Sequence, residues 1–136
     1  MKVRLYHTVY RKHKGEDLLE KTITICEEGM RVEGGLDNLR KNFVYFNNSP
    51  QDKKNPVMII DTPKNRVLVA DGTDKTDGWS STITQYELWE KDKTKIPYPE
   101  FLIGEVPKDY ICGVLYLGKN YTPTQFKHSF RKKLPA

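Results

Sequence analysis

Four short apolar runs in two closely linked pairs constrain this chain more than any other feature. "PVMIIDTP" (56–63) leads through the turn "PKN" into "RVLVADG" (66–72). "EFLIGEV" (100–106) leads through "PKDY" into "ICGVLYLG" (111–118). Runs this short, rich in Val and Ile and bounded by Pro, Gly and Asp, read as strands. Links this short cannot hold a helical crossover, so they predict mostly antiparallel pairing. Three further stretches read as extended: "KVRLYHTVY" (2–10), "NFVYFNN" (42–48) and "WSSTITQYELWEK" (79–91). The expectation is a strand-dominated α+β domain with seven or eight short strands and one to three helices.

The helical signals are fewer. In "EDLLEKTITICEEG" (16–29), Leu18, Leu19, Ile23 and Cys26 form a helical stripe, while the β-branched "TITI" favours a strand, so the segment reads both ways. Gly29 suits a helix C-cap or a turn. "LDNLRK" (36–41) reads as a short helix or loop, and "DGTDKTDG" (71–78) as a polar loop. Near the C-terminus, Thr122-Pro123 is a helix start signal, followed by Phe126 and Phe130 one turn apart. Residues 122–136 therefore read as a basic helix or tail.

At 136 residues, the chain reads as one domain, 1–136, large enough to bury a core. No internal repeat or low-complexity tract breaks it. It has no apolar run of membrane-spanning length and no leader-like apolar stretch after "MKVRLYHTVYRKHK", so the expectation is a soluble cytoplasmic protein without membrane contact. Cys26 and Cys112 are far apart and have no neighbouring ligand types, a pattern of reduced thiols rather than of a metal centre or a disulfide framework. The net charge is +5, with basic residues concentrated in "YRKHKG" (10–15), "KDKTK" (91–95) and "KHSFRKKLPA" (127–136). Such clusters attract nucleic acid or phosphate-bearing ligands, and they also occur as ordinary solvated faces.

Three residues are candidates for chemistry. His7 in the first strand is either a structural imidazole or a group that donates one hydrogen bond and accepts another, as a ribose hydroxyl requires. Thr8 adds a hydroxyl beside it. Strand alternation sets Phe43 and Tyr45 on one face and Val44 and Phe46 on the other, so one face can fill the core while the other offers a flat ring to a planar ligand. Glu100 opens an apolar strand after Pro99. It is either a solvated edge charge or a carboxylate able to stabilise an oxocarbenium-like transition state.

Taken in order, "LYHT", "VYFNNS" and "PEFLIGEVPKDYICGVLYLG" resemble the ADP-ribosyltransferase superfamily. The likeness is to its His-Tyr-Glu branch, that of diphtheria toxin and the poly(ADP-ribose) polymerases. The matching residues are His7, Tyr45 and Glu100, with Val106 to Ile111 as the link after the glutamate strand. The resemblance runs from about residue 4 to about residue 117 and implies two split antiparallel sheets with NAD in the cleft between them. It implies that His7 positions a ribose, Thr8 helps hold the nicotinamide amide, and Tyr45 stacks on the nicotinamide ring. Glu100 then binds the nicotinamide-ribose 2′-hydroxyl and stabilises the departing-nicotinamide transition state. No metal is implied. Arg4, Arg11, Lys12 and Arg31 are candidates for the pyrophosphate. Arg4 and "WSSTI" (79–83) also faintly match the arginine and Ser-Thr-Ser strand of the arginine-modifying branch. The implied activity is an ADP-ribosyltransferase or NAD glycohydrolase of toxin or phage-effector type. Its acceptor is a protein or nucleic acid, and the basic C-terminal segment favours the latter.

Three rival readings remain. One is an RNA 2′-phosphotransferase-like enzyme that also uses NAD. The second is a non-enzymatic basic β-rich module stacking nucleic-acid bases on Tyr10, Trp79 or Tyr121. The third is a transferase fold retained only for binding.

Overall fold

A computed structural model describes residues 1–31, 43–72 and 83–131. The strands are β1 (Lys2–Thr8), β2 (Met30–Arg31), β3 (Val44–Phe46), β4 (Val57–Pro63), β5 (Leu68–Asp71), β6 (Thr84–Gln85), β7 (Pro99–Ile103), β8 (Glu105–Val106), β9 (Ile111–Tyr116) and β10 (Lys119–Tyr121). The α-helices are α1 (Leu18–Glu28), α2 (Tyr86–Lys91) and α3 (Pro123–Phe130). One four-stranded sheet has the order β1-β4-β9-β10, the other β3-β7-β5-β6, and β2 pairs with β8 as a small third sheet. The expected α+β class with antiparallel sheets is what forms. The expected seven or eight strands are ten among the described residues, because one run subdivides and β10 forms where no strand was expected.

"EFLIGEV" is the run that subdivides. It breaks at Gly104 into β7, which pairs with β3 and β5, and β8, which pairs with β2. One apolar run thereby serves two sheets.

Neither short link closes a hairpin. Strands β4 and β5 lie in different four-stranded sheets, and so do β7 and β9. The two links share a sequence pattern, Pro63-Lys64-Asn65-Arg66-Val67 and Pro107-Lys108-Asp109-Tyr110-Ile111, and a conformation. Each proline is extended (φ -57, ψ 138 and φ -59, ψ 148), and a single 3-10 turn follows it. The tight turn redirects the chain away from the strand it has just left, whereas a two-residue hairpin turn would fold it back.

The main core lies between the two large sheets. Leu5, Met58, Ile60 and Val114 come from the first sheet, and Phe46, Val69, Phe101 and Ile103 from the second, all with no more than 1% exposure. Each such side chain contributes roughly 1.5–3 kcal/mol by leaving water. Trp89 packs edge-on against Phe101 at 5.4 Å, and its indole N–H donates to the Ile96 carbonyl at 3.1 Å.

That packing explains why 79–91 is not extended throughout. Only Thr84 and Gln85 are strand among its described residues; from Tyr86 the chain is helical. The helix places Tyr86 and Trp89, three residues apart, side by side against Phe101. A strand would separate them onto different faces.

The ambiguity at 16–29 resolves as helix. Asp17 caps it, accepting from the Leu19 and Glu20 amides at 3.1 and 3.2 Å. The threonine hydroxyls donate back to the preceding turn, Thr22 to the Leu18 carbonyl and Thr24 to the Glu20 carbonyl. The β-branched residues are therefore accommodated without a sheet partner. The Thr122 start signal is also realised, as a capping box with Gln125 and Pro123 in the first turn. Residues 36–41, 79–82 and 132–136 lie outside the described residues. Among the described residues, no helix is long and apolar enough to cross a membrane.

Gly29 ends α1 at φ 80, ψ -166, a conformation that side chains other than hydrogen strongly disfavour. A Cβ there would also stand 2.3 Å from the Val106 carbonyl oxygen. Gly15 is likewise left-handed (φ +85), but a Cβ there would meet nothing within 4 Å. Gly29→Ala should cost about 2 kcal/mol or more in a urea-unfolding measurement. Gly15→Ala should cost about 1 kcal/mol, the backbone term alone. Equal losses would show that the approach of α1 to β8 is not tight.

Candidate functional site

The two large sheets meet along β1 and β3. Tyr6 donates its N–H to Asn47 and accepts the Asn47 N–H, both at 2.8 Å. One residue on, the His7 ring points to the core side of β1, packing on Phe46 with ring centres 5.5 Å apart. Its Nδ1 lies 2.7 Å from the Tyr45 carbonyl oxygen. A carbonyl only accepts, so Nδ1 carries the proton and donates. Burial is the main reason the imidazole pKa falls below its ordinary 6.5, and the nearby Lys12 and Lys21 charges push it the same way against the opposing Tyr45 bond. The neutral ring therefore has its lone pair on Nε2.

Strand β3 continues the arrangement on its other edge. It pairs with β7 in the register Tyr45↔Leu102 and Phe46↔Phe101. Phe46 and Phe101 face the main core. Tyr45 and Leu102 face the opposite side, where Ala70 and Leu102 are buried under Phe43, Tyr45, Leu68 and Ile83. Glu100 is two residues from Leu102 and so shares the Tyr45 face. Residues diagonal across such a ladder lie about 7–8 Å apart, within reach of one ligand. Both Tyr45 and Glu100 are half-buried, and the Tyr45 hydroxyl is buried.

Gly72 completes this corner. A Cβ on it would lie 3.2 Å from Glu100 Cγ, 3.5 Å from Glu100 Oε1 and 3.0 Å from the Tyr98 carbonyl oxygen. The bare backbone leaves room for the Glu100 carboxylate where it lies, and the Gly72 N–H holds the Tyr98 carbonyl at 2.8 Å. Sequence reasoning did not single out Gly72. Its role depends on β5 pairing with β7, which the sequence does not announce.

The other expected residues distribute unevenly. Thr8 is buried and pairs with Val57, but strand alternation directs its side chain to the face opposite His7. Arg4 is also on that opposite face, in a two-pronged bond to Asp61 at 2.9 and 3.1 Å. That geometry separates Arg4 from His7. Arg31 is well exposed and 3.5 Å from Glu105. Arg11 donates from Nε to the Glu16 carbonyl. Lys12 is the one pyrophosphate candidate whose charge acts on His7. Lys21, not anticipated, joins it because α1 folds back along the end of β1, where Lys21 Nζ donates to the Tyr10 carbonyl at 2.7 Å.

Among the described residues, Lys127 and Arg131 of the basic C-terminal segment are committed elsewhere. Lys127 pairs with Glu27, and Arg131 bridges Glu20 and Glu27, joining α3 to α1. These partners hold the Glu27 carboxyl down to about 2. Tyr121 packs edge-on with Phe126 and Phe130 and is no isolated stacking platform. A cleft of about 260 Å³ between α1 and α3 is lined by Cys26, Glu27, Lys108, Pro123, Thr124 and Lys127, none of them a candidate residue. Burial pushes the Cys26 thiol up to about 11, and desolvation with Asp61 raises that of exposed Cys112, so neither favours a nucleophilic thiolate. Among the described residues, no three His, Cys, Asp or Glu side chains converge as a metal site.

The chain matches no protein-family model, no curated protein and no solved structure.

The state of His7 can be read from stability. In the unfolded chain the imidazole titrates near 6.5, and in the fold it titrates lower. Below 6.5 the unfolded state binds more protons, so acidification favours unfolding until the native pKa is reached. The urea midpoint should therefore fall between about pH 7.5 and about pH 5.5. His7→Asn, which retains a donor toward Tyr45, should flatten that fall. A wild-type midpoint that does not change over this range would mean His7 is not held neutral.

Proposed function

We propose that this protein is an NAD-consuming enzyme of ADP-ribosyltransferase type, cleaving the nicotinamide–ribose bond and passing ADP-ribose to a macromolecular acceptor or to water. One observation carries the proposal. His7, Tyr45 and Glu100 are separated by long stretches of sequence, yet they occupy three adjoining strands, β1, β3 and β7; Tyr45 and Glu100 share one face, and the His7 ring braces Tyr45 from the core side, against Phe46. The Tyr6–Asn47 bridge and the 2.7 Å His7–Tyr45 bond join the first pair, and a regular ladder joins the second.

In this reading His7 acts as a positioning residue: with Nδ1 committed to the Tyr45 carbonyl, it fixes the strand that presents Tyr45 from the core side. The Tyr45 ring offers a flat apolar surface to nicotinamide. As the glycosidic bond lengthens, positive charge develops on the ribose C1′ and ring oxygen. The Glu100 carboxylate, half-buried on the same face, stabilises that charge more than it stabilises neutral ground-state ribose, and differential stabilisation of this kind accelerates a reaction. It also accepts from the 2′-hydroxyl. Water or an acceptor nucleophile then forms the new bond at C1′, and nicotinamide leaves with the electrons of the broken one.

Nicotinamide release from NAD by the purified protein, with and without cell extract, tests the proposal. Glu100→Gln should reduce release by ~10²–10³-fold with an unchanged unfolding midpoint. Gly72→Ala should reduce it less, because the carboxylate is displaced rather than removed. A folded wild-type protein that neither binds NAD nor releases nicotinamide, in either condition, would refute the proposal.

A further inference from the structure

The segment after β1, residues 10–16, is an ordered loop whose acidic groups are turned to internal use. Glu16 accepts the Lys12 backbone N–H at 2.8 Å through Oε2 and meets Lys21 Nζ at 3.1 Å through Oε1. The Glu16 N–H donates to the His13 carbonyl, and Arg11 Nε donates to the Glu16 carbonyl. Asp17, next along, caps α1. These bonds fix the loop backbone and leave Arg11, Lys12 and Lys14 with exposed side chains. Among the described residues, none of the three makes an ion pair, in contrast to Lys127 and Arg131 on α3. Tyr10 stands at the start of the same loop with 57% of its surface exposed. The loop begins two residues after β1 ends, and the Lys12 charge acts on the His7 imidazole.

We infer that residues 10–14 form a binding surface for single-stranded nucleic acid, with Arg11, Lys12 and Lys14 on the phosphates and Tyr10 stacking on a base. Two features favour this partner over an acidic polypeptide. The cations are consecutive or nearly so and lie on a braced backbone, which suits a regularly spaced chain of phosphates. An exposed aromatic ring beside them matches the stacking platform of single-strand binders, which carboxylate-rich peptides do not use. Fixing the loop in advance also reduces the ordering cost of binding. A strand held here passes the end of β1. The binding surface itself does not depend on NAD turnover.

The test is fluorescence anisotropy of labelled oligo-uridine and oligo-thymidine over a range of salt, with polyglutamate as competitor. The slope of log affinity against log salt should become shallower by about 2 in the Arg11→Gln/Lys12→Gln/Lys14→Gln variant, since each lost phosphate contact removes about 0.7. Tyr10→Ala should weaken binding about 5- to 100-fold while leaving that slope unchanged. Lys127→Gln and Arg131→Gln should leave both quantities close to wild type. The replaced loop side chains are exposed, and an unchanged unfolding midpoint confirms that the loop variants fold. Preference for uridine or thymidine separates RNA from DNA as the partner. The inference is overturned if neither oligonucleotide binds, if polyglutamate competes as well as an unlabelled oligonucleotide, or if the α3 variants lose as much affinity as the loop variant. NAD turnover with intact loop binding, or the converse, keeps this inference separate from the proposed reaction.

Discussion

The two large sheets are held in register by a narrow seam of hydrogen bonds. Tyr6 and Asn47 exchange two, and His7 adds a third to the Tyr45 carbonyl. Each such bond contributes only about 0.5–1.5 kcal/mol net, but leaving a buried partner unmade costs more. The seam therefore specifies alignment more than it supplies stability, most of which comes from the apolar residues packed between the sheets. Burial, helped by two lysine charges, keeps the imidazole neutral against that third bond, and its one proton is on Nδ1. Structure and candidate chemistry thus share one ring.

The chain reaches the seam by crossing repeatedly between the sheets. Two links of the same pattern, proline followed by a 3-10 turn, carry β4 into β5 and the β7–β8 segment into β9. Because neither closes a hairpin, neighbours in sequence separate and distant strands become adjacent. Glu100 can then lie one strand from Tyr45, and Gly72 can lie against Glu100. The same crossing makes both faces of β7 apolar, with Phe101 and Ile103 in the main core and Leu102 in the smaller cluster on the other side.

Charge is sorted by partner. The basic residues of α3 pair with acids on α1 and fasten the two helices together, a use that draws on their charge locally. Exposed pairs of this kind contribute little each, although Arg131, shared between two carboxylates, forms a small network. The basic residues of the loop after β1 have no such partners among the described residues, since Glu16 and Asp17 are turned to the backbone and to Lys21. Among the described residues, the loop after β1 thus keeps its cations available to a ligand, whereas Lys127 and Arg131 are already paired.

Much of the local structure was legible in the sequence, because it rests on local physics. Alternation in "NFVYF" separated Tyr45 from Phe46, and the structure then places Phe46 in the core and Tyr45 on the other side. Thr122-Pro123 started a helix because a side-chain cap and a fixed proline φ act within one turn. The helix at Tyr86–Lys91 was not legible, because it is imposed by the burial of Trp89 against Phe101 from another strand. The short links left the strand partners open for a related reason: their length showed that the next strand begins at once, but not which sheet it enters. By itself, then, the sequence determined most of the strands, the helix start at Thr122 and the antiparallel class, all properties of neighbouring residues. Tertiary structure decided what lies beside what: β3 between β1 and β7, Lys21 near His7, Gly72 against Glu100 and the α3 cations against α1. Those proximities depend on which surfaces bury one another, and no short stretch of sequence contains that information.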